Sequence, residues 1–391
     1  MQQHRMAEAA FFAILAAFLV TYAGYPLLVL IAAAGRGRRL APAQPAFAGS
    51  VTIIVCAHNE EAAIGPKLAS VIAACEGSKQ IELIVADDGS TDRTAALAEA
   101  AAATSSIALT VLRLPRGGKA AALRSACGAA RGEILVFTDA DPLWDRQTLA
   151  ALIGPFADPE VGAVAGEVRT LAERDRSGLG GGDALFRRYE SAIRAAEDRL
   201  FGCVSADGGI FALRAALAEP VPSDVTDDFY LSTAAVARGR RIAFRPDARV
   251  YEVAPGDRRQ HFRRRLRITV RGLTGLWRRR ALMNPFRTGW YAIGLIFHKG
   301  LRRFVPVLLI PLWLLAGGLA LAGEGRGYGL VFLLMTAGGA LALALTLVPL
   351  HLPKPLRLPV YAAVHVAGLA AGALLFLAGR RYSQWTPQQR N

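Results

Sequence analysis

Asp139 and Asp141 stand two residues apart at the end of the apolar run Ile134–Phe137, in the stretch "EILVFTDADPLW". Hard oxygen ligands at that spacing suit Mg2+ or Mn2+. A metal there offsets the charge of a diphosphate and assists its departure. Alone, Asp-x-Asp is most often a solvated turn. A second acidic pair, Asp227 and Asp228, follows Thr226 in "PSDVTDDFYLS". A carboxylate beside an acceptor hydroxyl can take its proton, although acids that open a helix are also favoured by its dipole. Asn59 and Glu60, then Asp87 and Asp88, close two earlier apolar runs, and Lys119 ends "RGGK".

The elements that must carry these residues alternate. "VTIIVC", "IELIVA", "IALTVLRL" and "EILVFT" read as strands, with helical segments between them. Such alternation predicts parallel strands joined by right-handed crossovers. Continuously apolar strands predict a sheet covered on both faces. Ligands of such sheets bind beyond the carboxyl ends of the strands. The polar clusters, distant in sequence, therefore converge at one edge.

The 391 residues are 53% hydrophobic, and the mean hydropathy is positive. Residues 9–34 are long and apolar enough to cross a bilayer, as are 304–323, 327–350 and 358–379. The expected organisation is an N-terminal transmembrane helix with a basic linker (1–48), an α/β domain (49–255), basic amphipathic interfacial helices (256–303), and about three C-terminal transmembrane helices with a tail (304–391). "GRGRR" after the first helix, and Lys354 with Arg357 between the last two, orient the α/β domain to the cytoplasm. Arg380 and Arg381 run against that rule. The expected location is a bacterial-type inner membrane.

The net charge is +15, and residues 256–303 hold fourteen Lys and Arg against one acid, Asp257. Beside apolar helices this block predicts contact with anionic lipid rather than nucleic acid. Phe262, Leu266, Val270, Leu273 and Trp277 form one helical stripe. Arg265 and Arg271 are expected to meet lipid headgroups; Trp290, Tyr291, His298 and Lys299 read as interface anchors. Cys56, Cys75, Cys127 and Cys203 lack metal-ligand spacing and read as core residues.

A phosphate-binding G-x-x-x-x-G-K-[ST] loop fails at Arg113 and Ala120. No G-x-G-x-x-G follows the first strand, where "AHNEEA" stands. A transporter would want broken or polar membrane helices, and His365 is the main titratable group in these.

The ordered set "VCAHNEEAAI", "IVADDGSTDRT", "GGKAAAL", "FTDADPLW", "VTDDFYL" and "QHFRRRLR" resembles the family 2 glycosyltransferases. It resembles especially the membrane-embedded branch with cellulose, hyaluronan and poly-N-acetylglucosamine synthases. The resemblance implies a GT-A-type nucleotide-sugar-binding domain and metal-dependent, inverting sugar transfer. It implies that Asp88 reads the base, expected to be the uracil of a UDP-sugar, that Glu60 lies by the ribose, and that Lys119 lies near the diphosphate. Asp139 and Asp141 become the nucleotide-sugar and metal acids. Asp228 becomes the general base beside Asp227, which replaces the usual Glu. Gln260 and Arg263 match the Gln-x-x-Arg-Trp motif, with Arg264 in place of its Trp. "CVSADGGIFALR", with Asp207, is similar to stretches lining the acceptor pocket. The expected acceptor is a growing polysaccharide, with single transfer to a polyprenyl phosphate or glycolipid as the alternative.

Overall fold

The computed structural model describes residues 2–36, 47–171, 180–253, 258–347 and 354–382. The basic linker at 37–46 and Asp257 lie outside the described residues. One eight-stranded sheet forms the centre, in the order β3-β2-β1-β4-β7-β6-β8-β5. Its strands are β1 (Val51–Ala57), β2 (Ile81–Asp88), β3 (Ala108–Leu114), β4 (Ile134–Asp139), β5 (Leu143–Trp144), β6 (Val161–Leu171), β7 (Phe211–Arg214) and β8 (Arg241–Val253). The first four pair in parallel, as the alternating pattern requires. The later strands add antiparallel pairs around β7, so the sheet is mixed but mostly parallel.

The parallel half is buried because its strands are apolar on both faces. Ile53, Val55, Leu83 and Val136 pack under the helices Glu61–Ala74 and Thr148–Ile153. Ile54, Ile84, Leu135 and Phe137 pack under the helices Lys119–Ala129 and Asp227–Ala237. Register sets the site: Cys56 pairs with Asp139 and Ala57 with Asp87, so the strand ends lie level. Cys56, Cys75 and Cys203 are buried and none of the four is in a disulfide, as expected of core cysteines.

Four helical segments are long and apolar enough to cross a membrane: Gln2–Gly35, Trp290–Leu321, Arg326–Ala344 and Arg357–Leu377. They are called the first to fourth spans below. Hydropathy alone starts the second of these at 304. The structure runs it back to Trp290 through a π segment, Leu295–Leu301, so the second interfacial helix is instead its opening turns. The cations at 298–303 mask this in hydropathy.

The long helix Arg258–Arg278 does not lie free on a bilayer surface. It packs lengthwise against the fourth span, where Gly368 and Gly372 allow close approach. A Cβ on Gly372 would meet the Thr269 Cβ at 2.6 Å, and one on Gly368 would meet the Arg265 Cβ at 2.8 Å. Val270 and Leu273 of the expected stripe are buried, whereas Trp277 is exposed. Arg265 and Arg271, expected at lipid headgroups, have partners within the protein. Arg265 donates to Asp183 (3.3 Å) and lies near the Tyr361 hydroxyl, and buried Arg271 donates to the Val225 carbonyl.

Candidate active site

The loops after β1 and β2 are stitched together. Asn59 adopts φ 53°, which aims its Oδ1 to accept from the Thr91 amide at 2.8 Å. The Asn59 amide donates to Ser90 Oγ (2.9 Å) and the Glu60 amide to Thr94 Oγ1 (2.7 Å). This fixes Glu60 on the wall of a cavity of about 300 Å³. Gly89 must be glycine: its φ is 65°, and a Cβ there would lie 2.8 Å from the Arg116 amide nitrogen.

Asp88 is fully buried. Its Oδ1 accepts from the Gly117 and Gly118 amides at 2.7 and 2.9 Å, and its Oδ2 pairs with Arg116. It lies outside the cavity lining, behind the Gly117–Gly118 turn. That turn opens the helix bearing Lys119, so Asp88 orients the segment that delivers Lys119.

Lys119 joins the two acidic motifs. Its Nζ lies 2.6 Å from Asp139 Oδ1 and 2.8 Å from Asp227 Oδ2. Burial would lower the Lys119 pKa, but Asp139 and Asp227 outweigh it and hold the amine well above its ordinary value. Asp227 and Asp228 open the helix Asp227–Ala237, with Thr226 as N-cap. Burial would raise Asp227, yet Lys119 holds it below the usual carboxylate range. Asp228 goes the other way: burial, then the charges of Asp227 and Asp207, push it up to about 6. Two adjacent carboxylates thus have separate characters, one a fixed anion and one a proton acceptor near neutrality.

Gly208 brings the motifs together. A Cβ there would lie 3.6 Å from Asp139 Oδ2 and 3.9 Å from Asp228 Cγ. Asp139, Asp141, Asp207, Asp227 and Asp228 all line the same cavity. Among the described residues no group of three or more His, Cys, Asp or Glu forms a metal cage. The donor set fits a Mg2+- or Mn2+-like ion held by Asp139 and Asp141 and completed by substrate oxygens.

The basic helix reaches the site with a different residue from the one its motif names. Arg263 is exposed and, like Gln260, lies outside the cavity lining; Arg264 and Arg267 line it. Arg264 also pairs with Glu252 at 2.8 Å. Burial, then Arg271 and Arg264, push the Arg267 pKa down to about 10.

Sequence reasoning missed Lys67. It is fully buried, and its Nζ donates to Thr138 Oγ1 (2.7 Å) and the Pro142 carbonyl (2.6 Å). Burial pushes its pKa down to about 7 against the pull of Asp141 and Asp139. Thr138 also donates to the Gly209 carbonyl at 2.8 Å. Lys67 thereby ties the Asp139–Asp141 turn to the Gly208–Gly209 turn. The available signal was a lysine within the apolar stripe Ile64, Lys67, Leu68, Val71. His298, Lys299, Arg302 and Arg303, on the second span, also line the cavity.

A mostly parallel sheet with helices on both faces, and carboxylates gathered at its edge, defines a GT-A-type glycosyltransferase domain. Residues 52–201 match the model described as Glycosyl transferase family 2. The whole chain superposes on a mannosyltransferase from Pyrobaculum calidifontis, solved with GDP-Man and Mn2+. The TM-score is 0.72 at 28% identity, over 96% of this chain and 99% of that one. An N-acetylglucosaminyltransferase of Rhizobium meliloti is 28% identical over 232 residues, covering 56% of this chain and 54% of the relative. An undecaprenyl-phosphate 4-deoxy-4-formamido-L-arabinose transferase of Pseudomonas aeruginosa is 31% identical over 145 residues, covering 37% and 40%. The match thus spans about half or less of these curated relatives' length.

Proposed function

We propose that the protein is a membrane-embedded, inverting glycosyltransferase with its catalytic domain in the cytoplasm. The observation that carries this is the single cavity shared by Asp139, Asp141 and Asp228, with Lys119 bridging the two motifs. The donor is a nucleotide sugar. Uridine is the base the family resemblance implies, although buried Asp88 does not reach the cavity to read it, and a nucleotide panel decides it against guanosine, the base of the Pyrobaculum neighbour's donor. Asp139 and Asp141 would hold a divalent ion, which would offset the diphosphate charge as a Lewis acid. Arg267 adds positive charge on the same cavity.

Asp228 takes the proton of the acceptor hydroxyl as that oxygen bonds to the sugar C1. The bond from C1 to the donor phosphate breaks, and the nucleoside diphosphate leaves. One displacement inverts the anomeric centre, so an α-linked donor gives a β-linked product.

For the acceptor, one observation favours a lipid over a growing polysaccharide. The cavity wall includes Lys299 and Arg303 of the second span and His365 and Leu369 of the fourth. An acceptor anchored in the bilayer reaches such a cavity. The test is incubation of the protein in lipid nanodiscs with labelled nucleotide sugars and a lipid extract, followed by counting sugars per product. One sugar on a lipid supports the reading; long chains of sugar overturn it in favour of polysaccharide synthesis.

A further inference from the structure

The first span is joined to the cavity wall without lining the cavity. Pro26 in that span has no amide to give to the Tyr22 carbonyl four residues back, and Pro306 in the second span has none for the Arg302 carbonyl. Tyrosines fill both gaps. The Tyr189 hydroxyl donates to the Tyr22 carbonyl at 3.3 Å, and the Tyr22 hydroxyl donates to the Arg302 carbonyl at 3.0 Å. Each span also carries a π segment here, Val20–Gly24 and Leu295–Leu301. Such segments are frequent at functional sites. Where the spans cross, the Tyr25 and Phe297 rings stack with centroids 5.6 Å apart.

Beside the stacked rings runs a chain of polar contacts. Glu197, on the helix Gly180–Leu200, is fully buried. A carboxylate in that setting is costly unless it is paired. Its Oε1 accepts from the Tyr25 hydroxyl at 2.6 Å and lies 2.7 Å from His298 Nδ1, and its Oε2 has no hydrogen-bond partner among the described residues. Glu190 lies two turns back on the same helix. The other ring nitrogen of His298, Nε2, lies 3.2 Å from it. One imidazole thus links both carboxylates. Glu190 pairs in turn with Arg302. Burial would raise the Glu190 carboxyl, but Arg302 and then His298 hold it well below the usual carboxylate range, so it meets Arg302 as an anion.

The chain ends at the active site. Glu190, His298 and Arg302 line the cavity, whereas Tyr25 and Glu197 do not. Two spans can be fastened by apolar packing, which needs no buried charge. Ionisable groups buried against membrane spans are expensive and are a mark of function.

We propose that Tyr25 is a positioning residue for sugar transfer: through Glu197 and His298 it sets the Glu190–Arg302 pair in the cavity wall, which makes the first span part of the active site as well as an anchor. The assignment rests on the transferase reading above. Without the Tyr25 hydroxyl, the Glu197 carboxylate is free to turn from His298, and the wall that shares the cavity with Asp228 loosens. Asp139 and Asp141 stand on a different element, so donor binding is expected to survive.

The test compares Tyr25→Phe with Tyr22→Phe. Each removes one hydroxyl of the first span and one hydrogen bond to a neighbouring element, but only Tyr25 reaches Glu197. Transfer is measured on the full chain in nanodiscs with labelled nucleotide sugar and a lipid extract, at varied donor concentration. Tyr25→Phe is expected to lower the maximal rate about tenfold, the size of one hydrogen bond to a charged group, and to leave the donor KM within about twofold. Tyr22→Phe is expected to cost stability and to keep the rate within about twofold. Glu197→Gln should match the loss in Tyr25→Phe, and the double variant should add nothing, since members of one chain are not additive. Equal rate losses for Tyr22→Phe and Tyr25→Phe, or losses that multiply in the double variant, overturn the proposal and leave a structural anchor. A readout without turnover separates this claim from the transferase reading. The ring-nitrogen NMR signals of His298, identified by their absence in His298→Gln, are expected to move in Tyr25→Phe and to stay in Tyr22→Phe. Unmoved signals in Tyr25→Phe overturn the chain even where transfer falls. Moved signals in a protein that transfers no sugar leave the chain of contacts standing and sink its assignment to sugar transfer.

Discussion

At the scale of single residues, chemistry rests on the opposed behaviour of Asp227 and Asp228. Asp227 is kept ionised by Lys119, and Asp228 is pushed up to about 6. A base of that kind works in its ionised form, so kcat/KM is expected to be full above about pH 7 and to fall tenfold per pH unit below about 6. Asp228→Asn should remove that acidic limb together with about 10²–10⁴-fold of turnover. An unchanged limb in the variant assigns the titration elsewhere. Lys67→Met has a different signature. It leaves the Pro142 carbonyl without its lysine donor and the Thr138 hydroxyl with the Trp144 indole N–H at 3.2 Å, at a cost of about 1–3 kcal/mol in stability. Because the turn it ties carries Asp139 and Asp141, the donor KM should rise more than kcat falls. A shift in melting temperature with donor kinetics intact confines Lys67 to a structural role. The motif acids were legible in the sequence because their types and order are distinctive. Lys67 was not, because a lysine within an apolar stripe gives no hint of which carbonyl it meets. Arg263 and Arg264 are adjacent in sequence but point to different faces of the helix. Only the packing of that helix shows that Arg264 lines the cavity.

At the scale of elements, the helix Arg258–Arg278 is held against the fourth span by Gly368 and Gly372. Gly372→Ala places a Cβ against Thr269 and the Leu266 carbonyl, which lies 2.9 Å away. Overpacking of this kind costs about 1–3 kcal/mol, and it should move Arg264 and Arg267 away from the cavity. The measurement is turnover beside that of Gly338→Ala, where nothing lies within 4 Å of an added Cβ. A tenfold or larger loss for Gly372→Ala with little change for Gly338→Ala is expected; equal activity removes this contact from the site. The apolar stripe of the helix was readable from its period. Its partner was not, since periodicity says that a face is covered and not by what. The opening turns of the second span are hidden from hydropathy for a related reason. His298, Lys299, Arg302 and Arg303 depress local hydropathy, whereas in the fold they face a polar cavity and leave the rest of the helix apolar.

At the scale of the whole molecule, a GT-A-like domain stands on four apolar helices, and those helices complete the wall of its cavity. The parallel half of the sheet was legible because unbroken apolar strands can be buried only between helices. The antiparallel addition of β7 was not, because a four-residue strand leaves almost no pattern. The central claim is that the acidic edge transfers sugar from a nucleotide donor to an acceptor at the membrane face. The most direct measurement incubates the protein in nanodiscs with a lipid extract and labelled nucleotide sugars, with and without EDTA, beside Asp141→Asn and Asp228→Asn. Label from one nucleotide sugar is expected in the organic phase. Loss of that label is expected in EDTA, with recovery on Mn2+ or Mg2+, and in both variants. Undiminished transfer by Asp228→Asn, or full activity in EDTA, would contradict the central claim.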